Sequence, residues 1–371
     1  MSWSHILSAV VFAVPLATGI TAVHAAEPDS RLLKPVTHKN LSIYFVRGPS
    51  SSGPVPLTLQ EALAKGTVNV HETGQVNELV IENTGKNDVF VQAGDIVKGG
   101  KQDRVLTVSL LVPAGSGQVP IGAYCVEHGR WSPRGAEDAM RFNSAEKSVP
   151  SREAKLAMLA PEKPRRAADN RSILSEPETA RQTSRITNQR HHRGEPAPRS
   201  RQSEVWAQVA KIQSALSANV NESVNSRVSA SSLQLSLENQ KLAETRARYI
   251  DTLKMAGVEH TDVVGVVIAI NGRISSADVY PSNGLFKKMW PKLLEAAATE
   301  AISGNSESQA EAPPIASVQA FLTAAENGTS ASASNLDSKL IDQEIRDGDK
   351  TLVVESRRKD GGFIHRAYLA K

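Results

Sequence analysis

Two stretches of this 371-residue chain concentrate glycines, charges and apolar residues more densely than folding alone requires. The first is Ala93-Gly94-Asp95-Ile96-Val97-Lys98-Gly99-Gly100-Lys101-Gln102-Asp103-Arg104-Val105-Leu106. The second is Ile121-Gly122-Ala123-Tyr124-Cys125-Val126-Glu127-His128-Gly129-Arg130-Trp131. Gly99 and Gly100 let the backbone turn closely, which would gather Lys101, Gln102 and Arg104 around one concavity. Such a set suits a carboxylate, a phosphate or a sugar. The plainer expectation is a glycine bulge joining two strands, with solvated charges. A nucleotide-triphosphate loop is excluded by spacing: Asp95 stands five residues before Gly100, and Gln102 replaces the required Ser or Thr.

The second stretch offers a thiol and a carboxylate, so Cys125 and Glu127 are the candidate catalytic residues. On a strand, Ile121, Ala123 and Cys125 share one face, the setting of a core cysteine. Glu127 falls on that face and His128 on the other, which counts against a Cys–His nucleophile pair. Glu127 and Arg130 can instead form an ion pair that ends the strand, with Trp131 stacked on a guanidinium. If the two stretches meet at one rim, Lys101, Gln102, Arg104, Glu127, Arg130 and Trp131 form a binding site for an anionic or polyhydroxylated ligand. Cys125 is the only cysteine, so neither an intramolecular disulfide nor a paired-cysteine zinc site can form. The histidines are scattered without a His-Glu-x-x-His pattern, and no metal or cofactor is expected.

The elements that must position these residues are mostly short strands. Leu41 to Val46 alternates as a strand. Thr58-Leu59-Gln60-Glu61 fits a capping box for a short helix stopping at Gly66. Strands are expected from Val68, over Glu78–Glu82 and Asp88–Gln92 as a hairpin around Thr84-Gly85-Lys86-Asn87, over Arg104–Val112, and over Val119–Glu127. Helical spacing returns with Trp206, Val209, Ile212 and Leu216, and again over Leu235–Ala256. Val263 to Ile270, Asn271-Gly272 and Arg273 to Tyr280 read as a hairpin. Ser282 can cap a helix whose pattern Pro291 should kink or restart. The tail reads as a helix from Ile315 to Ala325, then a meander turning at Asp347-Gly348 and Asp360-Gly361-Gly362. The expected class is α+β. A β-sandwich-like part (35–150) packs with a helical and hairpin part (204–305), and a small helix and β-meander unit follows (313–371).

Hydrophobic residues make up 40% of the chain, enough for a real core. Ile6 to Ala22 is apolar, is interrupted by Pro15, and is followed by Val23-His24-Ala25. This pattern predicts a signal peptide (1–25) cleaved after Ala25, and a periplasmic or secreted protein with no membrane-spanning segment after cleavage. Residues 151–203 form a basic insertion: nine arginines, one lysine and four acidic residues lie between Lys163 and Gln202. Sparse apolar content there predicts disorder. The net charge of that segment exceeds the +4 of the whole chain, so the remainder is slightly acidic. Arg165 to Arg201 could meet an anionic envelope surface. Without interleaved aromatics, no nucleic-acid partner is expected.

Three motifs in order carry a family resemblance: Ala93 to Leu106, Cys125 to Trp131, and Val266 to Tyr280 with the Phe286–Leu294 helix. On these the chain resembles the ARG- and rhodanese-phosphatase-superfamily-associated protein domains, a bacterial family. The resemblance implies one domain over roughly 35–305, with the arginine-rich insertion and the tail after 305 as departures, and it brings no settled activity. The leading expectation is a ligand-binding or scaffold protein. The rivals are a hydrolase or transferase using Cys125 or Glu127, and an envelope-interaction protein acting through its basic insertion.

Overall fold

Strand β2 (Leu41–Arg47) is buried along nearly its whole length, and the two sides of its pleat face two different cores. Leu41, Ile43 and Phe45 join the main core, whereas Tyr44 and Val46 join a second one. A strand covered on both faces needs apolar residues at successive positions rather than strict alternation. The same logic accounts for the unbroken run Val263 to Ile270. The computed structural model describes residues 31–160, 200–305, 309–327, 330–332 and 340–371. The leader with its cleavage site after Ala25, and the arginine-rich run from Lys163 to Arg199 with His191-His192, lie outside the described residues.

In chain order, β1 (Val36–His38) and β2 are followed by β3 (Leu57–Thr58) and helix α1 (Leu59–Ala64). Then come β4 (Val68–Glu72), β5 (Glu78–Asn83), β6 (Val89–Val91), β7 (Asp95–Gly99), β8 (Arg104–Leu106), β9 (Leu110–Val112), β10 (Gln118–Cys125) and β11 (Phe142–Ser148). Helices α2 (Arg152–Leu159), α3 (Arg201–Val220), α4 (Leu233–Leu237) and α5 (Gln240–Leu253) lead to the hairpin β12 (Val263–Ile270) and β13 (Arg273–Val279). Helix α6 (Asn283–Ser303), α7 (Ile315–Glu326), β14 (Ser330–Ser332) and the meander β15 (Ile341–Asp347), β16 (Thr351–Arg358) and β17 (Phe363–Ala370) complete the chain.

The fold is α+β and ends in a helix and β-meander. One eight-stranded sheet runs β1-β2-β12-β13-β17-β16-β15-β14, a six-stranded sheet runs β11-β7-β8-β10-β5-β4, and a third runs β3-β6-β9. Because β17 pairs with β13, the C-terminal meander continues the sheet begun by β2. Helix α6 covers the main-core side through Leu285, Phe286, Met289, Leu293 and Leu294. Helix α7 covers the other side with Val318, Leu322 and Ala325. Among the described residues, no helix is long and apolar enough to cross a membrane.

Local signals place several ends. Thr58 and Glu61 form both halves of a capping box on α1, and Ser282 accepts from Leu285 N to cap α6. Several expectations need correction. The start of the 151–203 segment, expected to be disordered, is helix α2, because Ser151 caps it and Ala154, Met158 and Leu159 are buried against the core. Glu78–Glu82 and Asp88–Gln92 do not form a hairpin: β5 pairs with β4 and β10, whereas β6 pairs with β3 and β9. The buried Asn83 explains the crossover, because its amide donates to the Asn87, Val112 and Pro113 carbonyls and so hands the chain to another sheet. The β-rich stretch Arg104–Val112 holds two strands, β8 and β9. The expected helix from Leu235 is broken at Asn239, which caps α5 by accepting from Leu242 N. Pro291 lies inside an α6 that continues to Ser303.

Candidate functional site

The glycine pair is required by what lies over it. Gly99 and Gly100 both have positive φ, 122° and 58°. A Cβ on Gly99 would sit 2.9 Å from the Arg141 carbonyl oxygen, and one on Gly100 would sit 2.6 Å from the Phe142 ring. Strand β11 therefore closes directly onto the turn between β7 and β8, and only glycine allows that approach. The turn is pinned from within, as Asp103 Oδ1 accepts from Gly99 N at 3.1 Å.

Strand β10 runs beside β8 with Cys125 opposite Arg104, and this register brings the two motif stretches together. Val126 N donates to Asp103 O, and Asp103 N donates to Glu127 Oε2 at 3.2 Å. Gln102 Nε2 donates to Glu127 O at 3.1 Å. Arg130 Nη1 reaches the Gly100 carbonyl at 3.2 Å. All six expected site residues thus belong to one neighbourhood, in two strata. Gln102, Arg104 and Glu127 are buried. Lys101 and Arg130 are partly exposed. Trp131 is 46% exposed, and both Lys101 Nζ and Arg104 Cζ lie 5.4 Å from its ring centre, within cation–π range.

Beneath the rim, guanidinium and carboxylate groups are paired. Arg104 meets Glu72 at 3.2 Å with both side chains fully buried. Arg130 meets Glu127 at 2.7 Å, and Arg134 meets Asp103 at 2.6 Å and Glu137 at 3.0 Å. Ser232 donates to Asp103 and Ser229 to Glu127. Burial alone would raise the pKa of Glu127, but donors from Arg130, Ser229 and the Asp103 amide outweigh it and hold the carboxyl below its ordinary value. For Asp103 burial prevails over Arg134 and the pKa is raised. Arg104 Nε is buried without a hydrogen-bond partner. Among the described residues, Lys101 has no carboxylate within ion-pair distance.

Sequence reasoning did not single out Glu72, Asp103, Arg134, Ser229 or Ser232. Asp103 was visible as a charge inside the first motif. Glu72 and Arg134 become partners only through strand pairing and loop return, which no local spacing reveals. Ser232 does have a local signature as the cap of α4, where it accepts from Leu235 N.

Cys125 is fully buried. Gln202 holds its backbone, accepting from Cys125 N and donating to Cys125 O, both at 2.9 Å. Burial pushes the thiol up to about 11, only partly opposed by the nearby Arg104 guanidinium. His128 is exposed and packs edge-on against Trp206 at 4.5 Å, so it does not serve the thiol. Elsewhere, Ser109 Oγ lies 3.0 Å from His365 Nδ1, and His365 Nε2 lies 3.1 Å from Asp278 Oδ1. The order of groups resembles a hydrolytic triad, but Ser109 is only 3% exposed and already accepts from Ala93 N. This series is an interior tie between β17, β13 and the segment before β9.

The model of the ARG and Rhodanese-Phosphatase-superfamily-associated Protein domain matches residues 29–369. The chain belongs to this family. Membership extends past residue 305, the boundary the motifs had implied, and so includes the tail. The β13–β17 pairing explains why, since the domain's largest sheet is incomplete without the last strand. No curated protein and no solved structure matches the chain. The family assignment therefore gives kinship, and any chemistry must be argued from the site.

Proposed function

We propose that this family member is an extracytoplasmic binding protein whose rim at Lys101, Arg130 and Trp131 receives a small anionic or polyhydroxylated ligand. One observation carries the reading: a half-exposed indole is held beside two cations, one of them without a carboxylate partner among the described residues, where the two motif stretches meet. An open aromatic face stacks on the apolar face of a sugar ring, and Lys101 supplies a mobile point charge for an acidic substituent. Gln102, Arg104 and Glu127 lie below and keep the contact groups in place, as a preorganised site requires. The thiol reading gains nothing from a buried cysteine whose pKa burial pushes up to about 11. The extracytoplasmic part of the proposal rests on the leader sequence, and secreted material should begin at Ala26 by intact mass.

The test is a thermal-shift screen of the full chain with acidic and neutral sugars. Bound ligand raises apparent stability by mass action. A ligand that stabilises the native protein should lose this effect in Trp131→Ala and Lys101→Ala, while both variants melt as the parent does without ligand. A ligand that stabilises both variants as well as the parent would place binding elsewhere.

A further inference from the structure

An open concavity lies away from the motif stretches. It is a cleft of about 330 Å³ between the start of α2, the middle of α3, the tip of the β12–β13 hairpin and the end of α6. Its volume falls in the range of small-ligand sites.

The walls are fixed by specific bonds. Asn271 has positive φ at the hairpin tip, and its Nδ2 donates to Gly304 O at 2.7 Å. This clips the hairpin to the end of α6. Asn219 of α3 donates to the Ile302 and Ser303 carbonyls at 2.8 and 3.0 Å, securing the same helix end from the other side. At the edge shared by α2 and α6, Glu300 Oε1 accepts from Arg152 N at 3.2 Å and from Ser275 Oγ at 2.9 Å. A cleft held this way is preformed rather than a gap between loose elements.

Its lining has two chemical halves. Ile212, Ala215, Ile270 and Ile274 supply apolar surface. Lys211 and Arg273 supply positive charge from α3 and β13, and among the described residues neither has a carboxylate within ion-pair distance. The remaining cations are already engaged, Arg152 with Glu153 at 2.8 Å and Lys371 with Asp347 at 2.6 Å. Burial raises the pKa of Glu300, whose Oε1 is already turned to Arg152 N and Ser275 Oγ. Two cations without a carboxylate partner among the described residues face an apolar wall, and together these ask for one kind of guest.

We infer that this cleft is a second binding site, independent of the Trp131 rim, for a small organic anion whose apolar body lies on Ile212, Ile270 and Ile274 and whose carboxylate or phosphate meets Lys211 and Arg273. Arg273 offers the planar fork that takes either oxyanion bidentately, and Lys211 adds a point charge.

Calorimetric titration of the full chain with benzoate, phenyl phosphate, inorganic phosphate and benzyl alcohol tests the inference. At least one of the two organic anions should bind; comparing them identifies the preferred oxyanion. Benzyl alcohol, which lacks the charge, and inorganic phosphate, which lacks the apolar body, should bind at least about tenfold more weakly, the loss expected when one half of a two-part contact is removed. Lys211→Ala with Arg273→Ala should weaken the anion by a similar factor, and Ala215→Trp, which fills the cleft without changing its charge, should abolish binding. Both variants should melt close to the parent, because the altered side chains are exposed or at the cleft surface. Trp131→Ala should bind the probe unchanged, which separates this site from the rim. The inference is overturned if neither organic anion binds, if the uncharged or the body-less probe binds equally well, if the cleft variants bind as the parent does, or if Trp131→Ala removes the binding.

Discussion

Arg104 is the largest fully buried side chain among the described residues, and its charge is met by an equally buried Glu72. Arginine is suited to this position because its planar fork can meet a carboxylate on one side while Trp131 lies against it on another. Replacing it with a smaller neutral group strands Glu72 in the interior. Arg104→Ala should therefore lower stability by about 3–5 kcal/mol, the usual consequence of breaking a buried pair. Lys101→Ala, at the rim, should stay within about 0.5 kcal/mol of the parent. Urea unfolding of the two variants checks both, and an Arg104→Ala protein as stable as the parent would mean that water reaches Glu72. Glu127 adds a pH dependence. Its folded pKa lies below its ordinary value of 4.5, so its contribution is present above that pH and is lost as pH falls from 4.5 through the folded value. Asp103 works in the opposite sense. Its folded pKa is raised above 3.8, so its contribution is present below 3.8 and is lost as pH rises through the folded value. The stability difference between the parent and Glu127→Gln should thus be largest near neutrality and shrink below pH 4.5, which urea midpoints across that range will show. Cys125, buried and titrating at about 11, should react with iodoacetamide only slowly in native protein at pH 8 and rapidly once unfolded. Rapid native labelling would show that β10 opens.

At the scale of elements, the legible features were those that a few adjacent residues specify. Thr58 with Glu61 marked the start of α1, Ser282 the start of α6, and Asn271-Gly272 the turn between β12 and β13, because caps and turns are local hydrogen-bond problems. Sheet membership was not legible. Glu78–Glu82 and Asp88–Gln92 look like the arms of a hairpin, yet Asn83 gives its amide to carbonyls near Pro113 and sends them into different sheets. The candidate site shows the same division. The residues of the two motifs were recognisable by type, and their meeting follows from the pairing of β8 with β10. Glu72 and Arg134, which neutralise them, lie on β4 and in the segment before β11, where nothing in the sequence marks them as partners. Gly265 is a further position whose need for glycine shows only in three dimensions. It lies in the apolar run of β12, where a Cβ would come within 2.5 Å of the Asp278 carbonyl oxygen on β13. Gly265→Ala must push these central strands apart, at a cost of about 1–3 kcal/mol, as for other overpacked interiors. A thermal melt followed by circular dichroism should show the loss, whereas an unchanged melt would mean that the sheet relaxes around the methyl group.

The order of strands in the largest sheet governs the whole molecule. β1 and β2 from the beginning, β12 and β13 from the middle, and β15 to β17 from the end occupy consecutive places in it. The last strand is internal, with β13 on one side and β16 on the other. Its His365 stands between Ser109 and Asp278, while Gln92 bonds both Asp278 and Tyr280, so one buried polar chain spans segments more than 250 residues apart in sequence. Helix α7, also in the tail, covers Tyr44, Val46, Val264 and Val267 on the second face of the sheet. A chain ending after residue 305 would lose all of these together. Asp278 and Ser109 would lack their imidazole partner, β13 would become an open edge, and a row of valines and Tyr44 would face water. Unsatisfied buried polar groups and a bare apolar edge strand each destabilise a fold and favour association. The fragment of residues 26–305 should therefore fail to unfold cooperatively, bind a hydrophobic dye and aggregate, although it contains both motif stretches. His365→Gln, which keeps a donor and an acceptor, should fold, with a lower melting temperature than the parent. A fragment that melts sharply near the temperature of the full chain would instead make the tail an addition to a self-sufficient domain. The sheet order argues against that outcome, because the chain returns to complete the interior of a layer that its first strands began.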